Sequence, residues 1–472
     1  MTTIHTFDDE LAKLDAVATA DAIRKGELSA TEVVAAAIER ARRVEPAAHP
    51  VACEDYERAL AAAKHPAEGP FKGVPTFIKD MTDVEGLPTR NGSKAFASAG
   101  PAHKTFGIAQ QLFDLGMVGL GKSTLPEFGF TPSTEFTTGP ATRNPWNLER
   151  TPGGSSGGSA VLVASGVVPV AHGQDGGGSI RIPAACNGLV GHKPSRGRLL
   201  PDPHARLLPV KIVADGVLTR TVRDTIAYYK SAEQIYKPKR LPSLGRIDSP
   251  PQRRLRIGTF AASPTGAPLD GPTRTTYEQT VALLEGLGHT VVPATAPVDE
   301  QFAEDFILYW STLAFFTRYG GKLLFDRSFD SDGLTPFTLG LADNFRPNLR
   351  HVPGAIRRLR RSADAYEAQF VEQAIDVVLT PTLTHLPPVL GELGASLPFD
   401  VQFPRVEAWV GFTPLANANG APSTSLPLGF DEATNLPVGM MFSAPMGHDA
   451  ILLRLALELE AAKPFPSLAT SS

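Results

Sequence analysis

Cysteine is nearly absent from this chain. Its 472 residues include only Cys53 and Cys186, too few for a disulfide framework or a cysteine-based metal cluster. An excess of one charge sign is missing as well. Forty-five basic residues against 49 acidic ones leave a net −4, which gives no electrostatic footprint for nucleic acid or an anionic membrane. No apolar run approaches the length of a membrane-spanning helix. The opening MTTIHTFDDELAKLDA lacks a basic start followed by an apolar stretch, so no signal peptide is expected. These absences predict a soluble cytoplasmic protein with neither nucleic-acid nor membrane partners; a monomer or homodimer is expected, and the sequence allows either.

Glycine and proline, by contrast, are plentiful, at 43 and 42 residues, and the apolar share of 42% is still ample for a core. The chain reads as alternating helices and strands with proline-rich joints. Ser29-Ala30-Thr31-Glu32 has the form of a capping box ahead of the apolar-periodic Val33 to Val44, which predicts a helix. Further helices are predicted over 108–115, 161–166 and 276–287. Short strands are predicted over 117–120, 167–171, 255–258, 290–292 and 376–380. Such alternation implies an α/β layer architecture. The Pro- and Arg-rich stretch from Lys237 to Arg254 reads as a surface connection.

Three glycine-rich turns carry the chemistry. Gly73-Val74-Pro75-Thr76-Phe77-Ile78-Lys79-Asp80 presents a lysine, Gly153-Gly154-Ser155-Ser156-Gly157-Gly158-Ser159 a serine, and Gln174-Asp175-Gly176-Gly177-Gly178-Ser179-Ile180-Arg181 a second serine. Serine is a weak nucleophile until a neighbouring base takes its proton. No His-Asp pair stands near either serine in sequence. Lysine can be that base when burial keeps it neutral, and the apolar lead-in to Lys79 suits such burial. The glycines before Ser179 offer unobstructed N–H groups for the oxyanion formed when a carbonyl is attacked.

These residues are similar to the amidase signature family of hydrolases. The likeness rests on GGSSGGS at 153–159, then GGSIRIPAA and KPS near 177–195. It extends to GVPTFIKD at 73–80, GLGKSTLPEFGF at 119–130, GPATRNPWNLERTPGG at 139–154, DGVLTRTVRD at 215–224, VVLTPTL at 377–383 and FTPLANANGAPSTSLPLGF near the end. The resemblance implies a large mixed β-sheet covered by helices on both faces. It implies one domain over 1–472: an N-terminal helical portion (1–65), a catalytic core (70–230), a variable substrate-side segment (231–375) and a C-terminal part of the core (376–472). It also implies a Ser-cisSer-Lys triad in which Ser179 is the nucleophile and Ser155, after a cis bond from Gly154, relays its proton to Lys79. Gly176, Gly177, Gly178 and Ser179 would form the oxyanion hole, and Asp175 and Arg181 would orient the loop. Gly154, Phe128, Phe130 and Phe136 would lie near the substrate. The expected activity is cleavage of small, largely apolar amides through an acyl-enzyme, with esters and carbamates as further candidates, and with neither metal nor cofactor.

The chain departs from the family pattern at three places. Gln174 and Gly176 stand where many members carry Thr and a larger residue, so Gly176 should widen or loosen the loop. Nylon-oligomer cyclic-dimer amidohydrolases and some actinobacterial amidases share this variant. His192 replaces a frequent apolar residue. After Arg198, LLPDPHARLLPVKIVADGVLTR lacks the Ser-Leu-Asp-Gln stretch of the amidotransferase A subunit. That argues for a stand-alone hydrolase over a subunit that works with partner chains.

Two other motifs compete. Residues 116–123 match the G-x-x-x-x-G-K-S phosphate loop, but the helix-like run precedes Gly116 and Pro126 follows too soon. Lys122 then reads as a structural residue at a strand end, with Glu127 pairing with it or lining the cleft. Gly153 to Gly157 match G-x-S-x-G, which would suit an α/β-hydrolase-type esterase. The downstream His448-Asp449 has the wrong local order for that triad, and the second glycine cluster stays unexplained. For substrate selection, the aromatics of 301–325 read first as an amphipathic helix packed on the sheet; the alternative reading is that some of them wall an apolar pocket. The basic stretch 344–361 reads as a lid or a solvated helix face.

Overall fold

The structure, a computed structural model, describes residues 2–200 and 208–469. Residues 201–207, within the stretch compared above with amidotransferase subunits, lie outside that description. The predicted alternation resolves into two sheets. In chain order the strands are β1 (Val51–Glu54), β2 (Pro75–Lys79), β3 (Val118–Ser123), β4 (Val170–Asp175), β5 (Val190–Lys193), β6 (Ala214–Thr219), β7 (Arg256–Thr259), β8 (Thr290–Pro293), β9 (Val377–Pro381), β10 (Ser423–Asp431) and β11 (Leu436–Ser443).

The large sheet has the order β4-β6-β5-β10-β11-β9-β7-β8. It is antiparallel from β4 through β9 and parallel across β9, β7 and β8, so the expected mixed sheet is present. Successive side chains of a strand point to opposite faces, and here each face meets helices. On β6, Val217 packs with Val222 and Ile226 of helix Val222–Ile235 and with Leu452 and Leu455 of helix Asp449–Ala462. Its neighbour Leu218 packs instead with Val161 and Leu162 of helix Gly157–Ala164. The connection from Lys237 to Arg254 carries no helix or strand, and Leu244 and Ile247 anchor it in the core.

A second sheet, β1-β3-β2, was not expected. Its strand β1 lies inside the N-terminal portion that the sequence suggested was helical, and pairs antiparallel with β3. Strand β2 begins at Pro75, a position where proline's missing N–H costs no ladder bond, and runs parallel to β3. This small sheet matters for the site because its strand β2 ends at Lys79.

Candidate active site

All five residues of β2 are buried, so Lys79, 1% exposed, delivers its amine into the interior. Its Nζ lies 2.7 Å from Ser155 Oγ and 3.2 Å from the Gln174 carbonyl oxygen. Burial brings the Lys79 pKa down to about 7, against the pull of the Asp175 and Asp215 carboxylates. Lys193 is also buried and also brought down to about 7, but its Nζ donates to the Pro194 carbonyl at 3.1 Å and it does not line the cavity described below. Geometry, not burial alone, distinguishes Lys79.

The two serine-bearing clusters, far from Lys79 in sequence, close around it. Ser156 N donates to the Ser179 carbonyl at 3.2 Å, and Gln174 N donates to Ser156 Oγ at 3.2 Å, so the clusters lie side by side. The Gly154–Ser155 peptide bond is cis. Gly129, at φ 67°, lies so close that a Cβ there would stand 2.8 Å from Ser155 Oγ. Lys79, Ser155 and Ser179 all line one cavity of about 1360 Å³, and Ser179, at 8% exposed against 2% for Ser155, is the more open of the two hydroxyls.

The turn from β4 into helix Arg181–Asn187 is built around Asp175. Its carboxylate accepts from Gly178 N at 2.7 Å and Ile180 N at 3.1 Å, and from Arg181 Nε and Nη2 at 3.0 and 2.9 Å. Burial works against the charge, yet the Arg181 guanidinium, Lys193 and Asn417 hold this carboxyl well below the usual range. Arg181 extends the network to the Thr413 carbonyl at 2.9 Å and Asn417 Oδ1 at 2.6 Å, and Thr413 Oγ1 donates to the Gly177 carbonyl at 2.5 Å. Gly178, at φ 135°, has no room for a side chain, since a Cβ would stand 2.3 Å from Thr413 Oγ1. Among the described residues, the N–H groups of Gly176, Gly177 and Ser179 have no protein acceptor, whereas that of Gly178 is taken by Asp175. At Gly176 a Cβ would meet only Val213, at 3.8 Å, and both residues line the cavity. The missing side chain therefore leaves extra room there.

Asp175→Ala would strand the buried Arg181 guanidinium without its carboxylate. Breaking one side of a buried pair costs about 3–5 kcal/mol, so the variant is expected to unfold at clearly lower urea concentration than the parent. An unchanged unfolding midpoint would show that the pair carries no such weight.

His172 gave no signal in the sequence, and Asp215 stood only as the first residue of the quoted DGVLTRTVRD stretch. His172 and Asp215 do form a pair, but across the β4–β6 ladder and not along the chain: His172 Nε2 lies 3.3 Å from Asp215 Oδ1. His172 Nδ1 accepts from Lys79 N at 3.3 Å, so this imidazole faces the lysine backbone. Asn417 and Thr413 belong to the quoted FTPLANANGAP stretch, which signalled them without revealing their contacts. The unusual His192 finds partners of its own, with Nδ1 2.7 Å from Thr424 Oγ1 and Nε2 3.4 Å from Asp449 Oδ1.

The phosphate-loop match also receives a structural answer. Lys122 is fully buried and pairs with Asp80 Oδ1 at 2.6 Å, with further donation to Pro88 O and Thr89 Oγ1. Glu127 does not pair with it. Instead its carboxylate accepts from Ser93 Oγ at 2.6 Å and from Thr335 N and Oγ1 at 2.8 Å.

The cavity walls are mainly aromatic and aliphatic. Helix Glu300–Leu324 supplies Phe302, Phe306, Tyr309, Trp310 and Phe316, while Phe315 and Tyr319 pack against each other and under Arg346. The aromatic stretch is thus both a packing helix and a pocket wall. Phe128 and Phe130 line the cavity as expected, but Phe136 and Gly154 do not. Phe136 is half-buried just past the buried Pro132-Ser133-Thr134 segment; Gly154 packs against that segment, where a Cβ would stand 2.9 Å from the Pro132 carbonyl carbon. Residues 344–361 span the end of helix Pro336–Asn348, a 3-10 turn and the start of helix Val352–Glu372. They contribute nothing to the cavity wall.

No helix among the described residues is long and apolar enough to cross a membrane. The Amidase family model matches residues 32–453. "Putative amidase AmiC" of Mycobacterium tuberculosis is 46% identical over 469 residues, covering 98% of both chains. The 6-aminohexanoate-cyclic-dimer hydrolase of Paenarthrobacter ureafaciens is 32% identical over 474 residues, covering 96% of this chain and 95% of the other. A solved 6-aminohexanoate cyclic dimer hydrolase in complex with substrate superposes with a TM-score of 0.86 at 30% identity, over 97% of this chain and 98% of that one. A bacterial aryl acylamidase superposes with a TM-score of 0.84 at 25% identity, over 97% of both chains. The chain belongs to the amidase signature family and is an amidase.

Proposed function

We propose that this amidase hydrolyses largely apolar amides through an acyl-enzyme on Ser179, with Ser155 as proton bridge and Lys79 as the base. The observation that carries this reading is the 2.7 Å approach of Lys79 Nζ to Ser155 Oγ in a buried, desolvated corner of the cavity that Ser179 shares. Ser179 Oγ attacks the amide carbonyl; its proton passes to Ser155, whose own proton passes to neutral Lys79. The oxyanion takes hydrogen bonds from the N–H groups of Gly176, Gly177 and Ser179, while Gly178 N–H holds the turn to Asp175. As the C–N bond breaks, the Lys79 ammonium returns a proton through Ser155 to the leaving amine. Water then attacks the ester on Ser179 and gives one proton through Ser155 to Lys79; as the C–Oγ bond breaks, that proton returns through Ser155 to Ser179 Oγ, releasing the carboxylic acid and restoring neutral Lys79.

The size and apolar walls of the cavity support aryl or alkyl groups on either side of the scissile bond. Esters and carbamates present the same carbonyl and fit the same scheme. The absence of the amidotransferase stretch after Arg198 supports a stand-alone enzyme.

The scheme fixes the sign of the pH dependence. Lys79 must be neutral to accept a proton, and its pKa is brought down to about 7. With a neutral anilide as substrate, kcat/KM should therefore fall about tenfold per pH unit below that value and level off above it. A flat profile between pH 5 and 8, or one that falls as pH rises, would remove Lys79 from the role of base.

A further inference from the structure

The wall of this cavity carries a charge that the hydrolysis does not use. Helix Phe399–Trp409 presents Phe403, Val406 and Glu407 to the cavity, and Val410 follows one turn later. Spacings of three and four place these positions on one helical face. That stripe calls for apolar side chains throughout, yet a carboxylate stands at 407. It is half-buried, and among the described residues it has neither a hydrogen bond nor an ion pair. Arg405, two positions before it, is exposed and donates to the Glu392 carbonyl at 2.8 Å.

The other charged groups along the cavity are accounted for. Lys79 faces Ser155. Asp83 accepts from Thr89 Oγ1 at 2.6 Å, and Asp326 accepts from Ser328 N at 2.7 Å. His103 and Lys104 are exposed. No arginine lines the cavity among the described residues. From Glu407 the wall continues through Val410, Gly411 and Phe412, and the next residue in the chain, Thr413, bonds the Gly177 carbonyl of the glycine loop through its hydroxyl. A carboxylate drawn out of water without a partner costs free energy that a ligand cation would recover. The aromatic ring of Phe403, one turn away on the same face, adds a surface that cations favour.

We infer that Glu407 is a specificity-determining residue that binds a primary ammonium group on the substrate, so that this enzyme prefers ammonium-bearing amides over neutral isosteres and disfavours carboxylates. The inference rests on the hydrolase reading above and extends it to a substrate class.

The test measures binding, which needs no turnover. Hexylammonium, 1-hexanol and hexanoate are titrated calorimetrically into the full chain at pH 7. The wild type is expected to bind the ammonium about tenfold more tightly than the alcohol, and hexanoate more weakly than either. In Glu407→Gln the ammonium preference should collapse to about one, and in Glu407→Lys it should reverse toward hexanoate. In the wild type alone, raising salt should erode the preference, because a half-buried pair is partly screened. An ammonium-to-alcohol ratio near one in the wild type, or an equal ratio in wild type and Glu407→Gln, overturns the proposal. A wild type that shows the preference but hydrolyses no anilide would instead remove the hydrolase reading and leave the ammonium subsite standing.

Discussion

Ser179→Ala is expected to abolish covalent labelling by a fluorophosphonate probe and to lower amide hydrolysis by roughly a millionfold, the scale of losing a serine nucleophile in a comparable triad. The probe reacts only with a hydroxyl that is both activated and reachable, and Ser179 is the more open of the two cavity serines. Ser155→Ala should also impair labelling, because it breaks the proposed proton route from Ser179 to the lysine, but it leaves the attacking oxygen in place. Cys186→Ala is the control. Burial pushes that thiol well above its usual range, and the side chain is away from the cavity that holds the serines. Labelling that survives in Ser179→Ala and disappears in Ser155→Ala would move the nucleophile to the first glycine cluster.

Lys79→Ala is expected to reduce the rate of acylation by about a thousand- to ten-thousandfold, the upper range for a positioned base, without loss of the fold. The pH dependence around 7 should vanish with it. Burst-phase measurement on an activated ester would isolate the acylation step, and near-normal bursts would show that the proton acceptor is elsewhere. Stability gives a second readout. In the folded chain this lysine gives up its proton at about 7, whereas in the unfolded chain it holds the proton to about 10. Between those values the unfolded state binds more protons, so stability rises with pH. Lys79→Met, which keeps most of the apolar volume, should flatten that slope and be at least as stable as the parent at pH 6. The wild type would thus give up some stability to keep a buried base, a trade common at active sites.

Much of the site was legible because glycine-rich turns constrain the backbone locally. Gly178 must remain glycine where its φ is 135° and Thr413 stands against it, and that requirement is visible as a run of glycines before a serine. Capping at Ser29 was equally local: the Ser29 and Glu32 side chains make the reciprocal box bonds that open helix Ala30–Ala48. Strands β3, β4, β7, β8 and β9 fell within a few residues of their expected places because short apolar runs between turns mark them. Strands β1, β2, β5, β6, β10 and β11 were missed, although Gly420 and Pro422 precede β10 and the Asp431-to-Asn435 turn joins it to β11; part of their pairing is with strands far along the chain, as when Ser423 meets Lys193. Phe136, expected near the substrate from the family resemblance, does not line the cavity.

Local order in the polypeptide, by itself, marked the glycine-rich turns that carry Lys79, Ser155 and Ser179 and determined the α/β class, since each depends on backbone freedom or periodicity over a few positions. Only the tertiary structure decided that Lys79, at the end of a strand in a small separate sheet, meets Ser155 at 2.7 Å, and that His172 finds Asp215 across a ladder. It also decided that Gly178 spends its N–H on Asp175 and that Glu407 lines the cavity without a partner among the described residues. Burial, desolvation and long-range pairing belong to the packed molecule, because they depend on what surrounds a group and not on what precedes it in the chain.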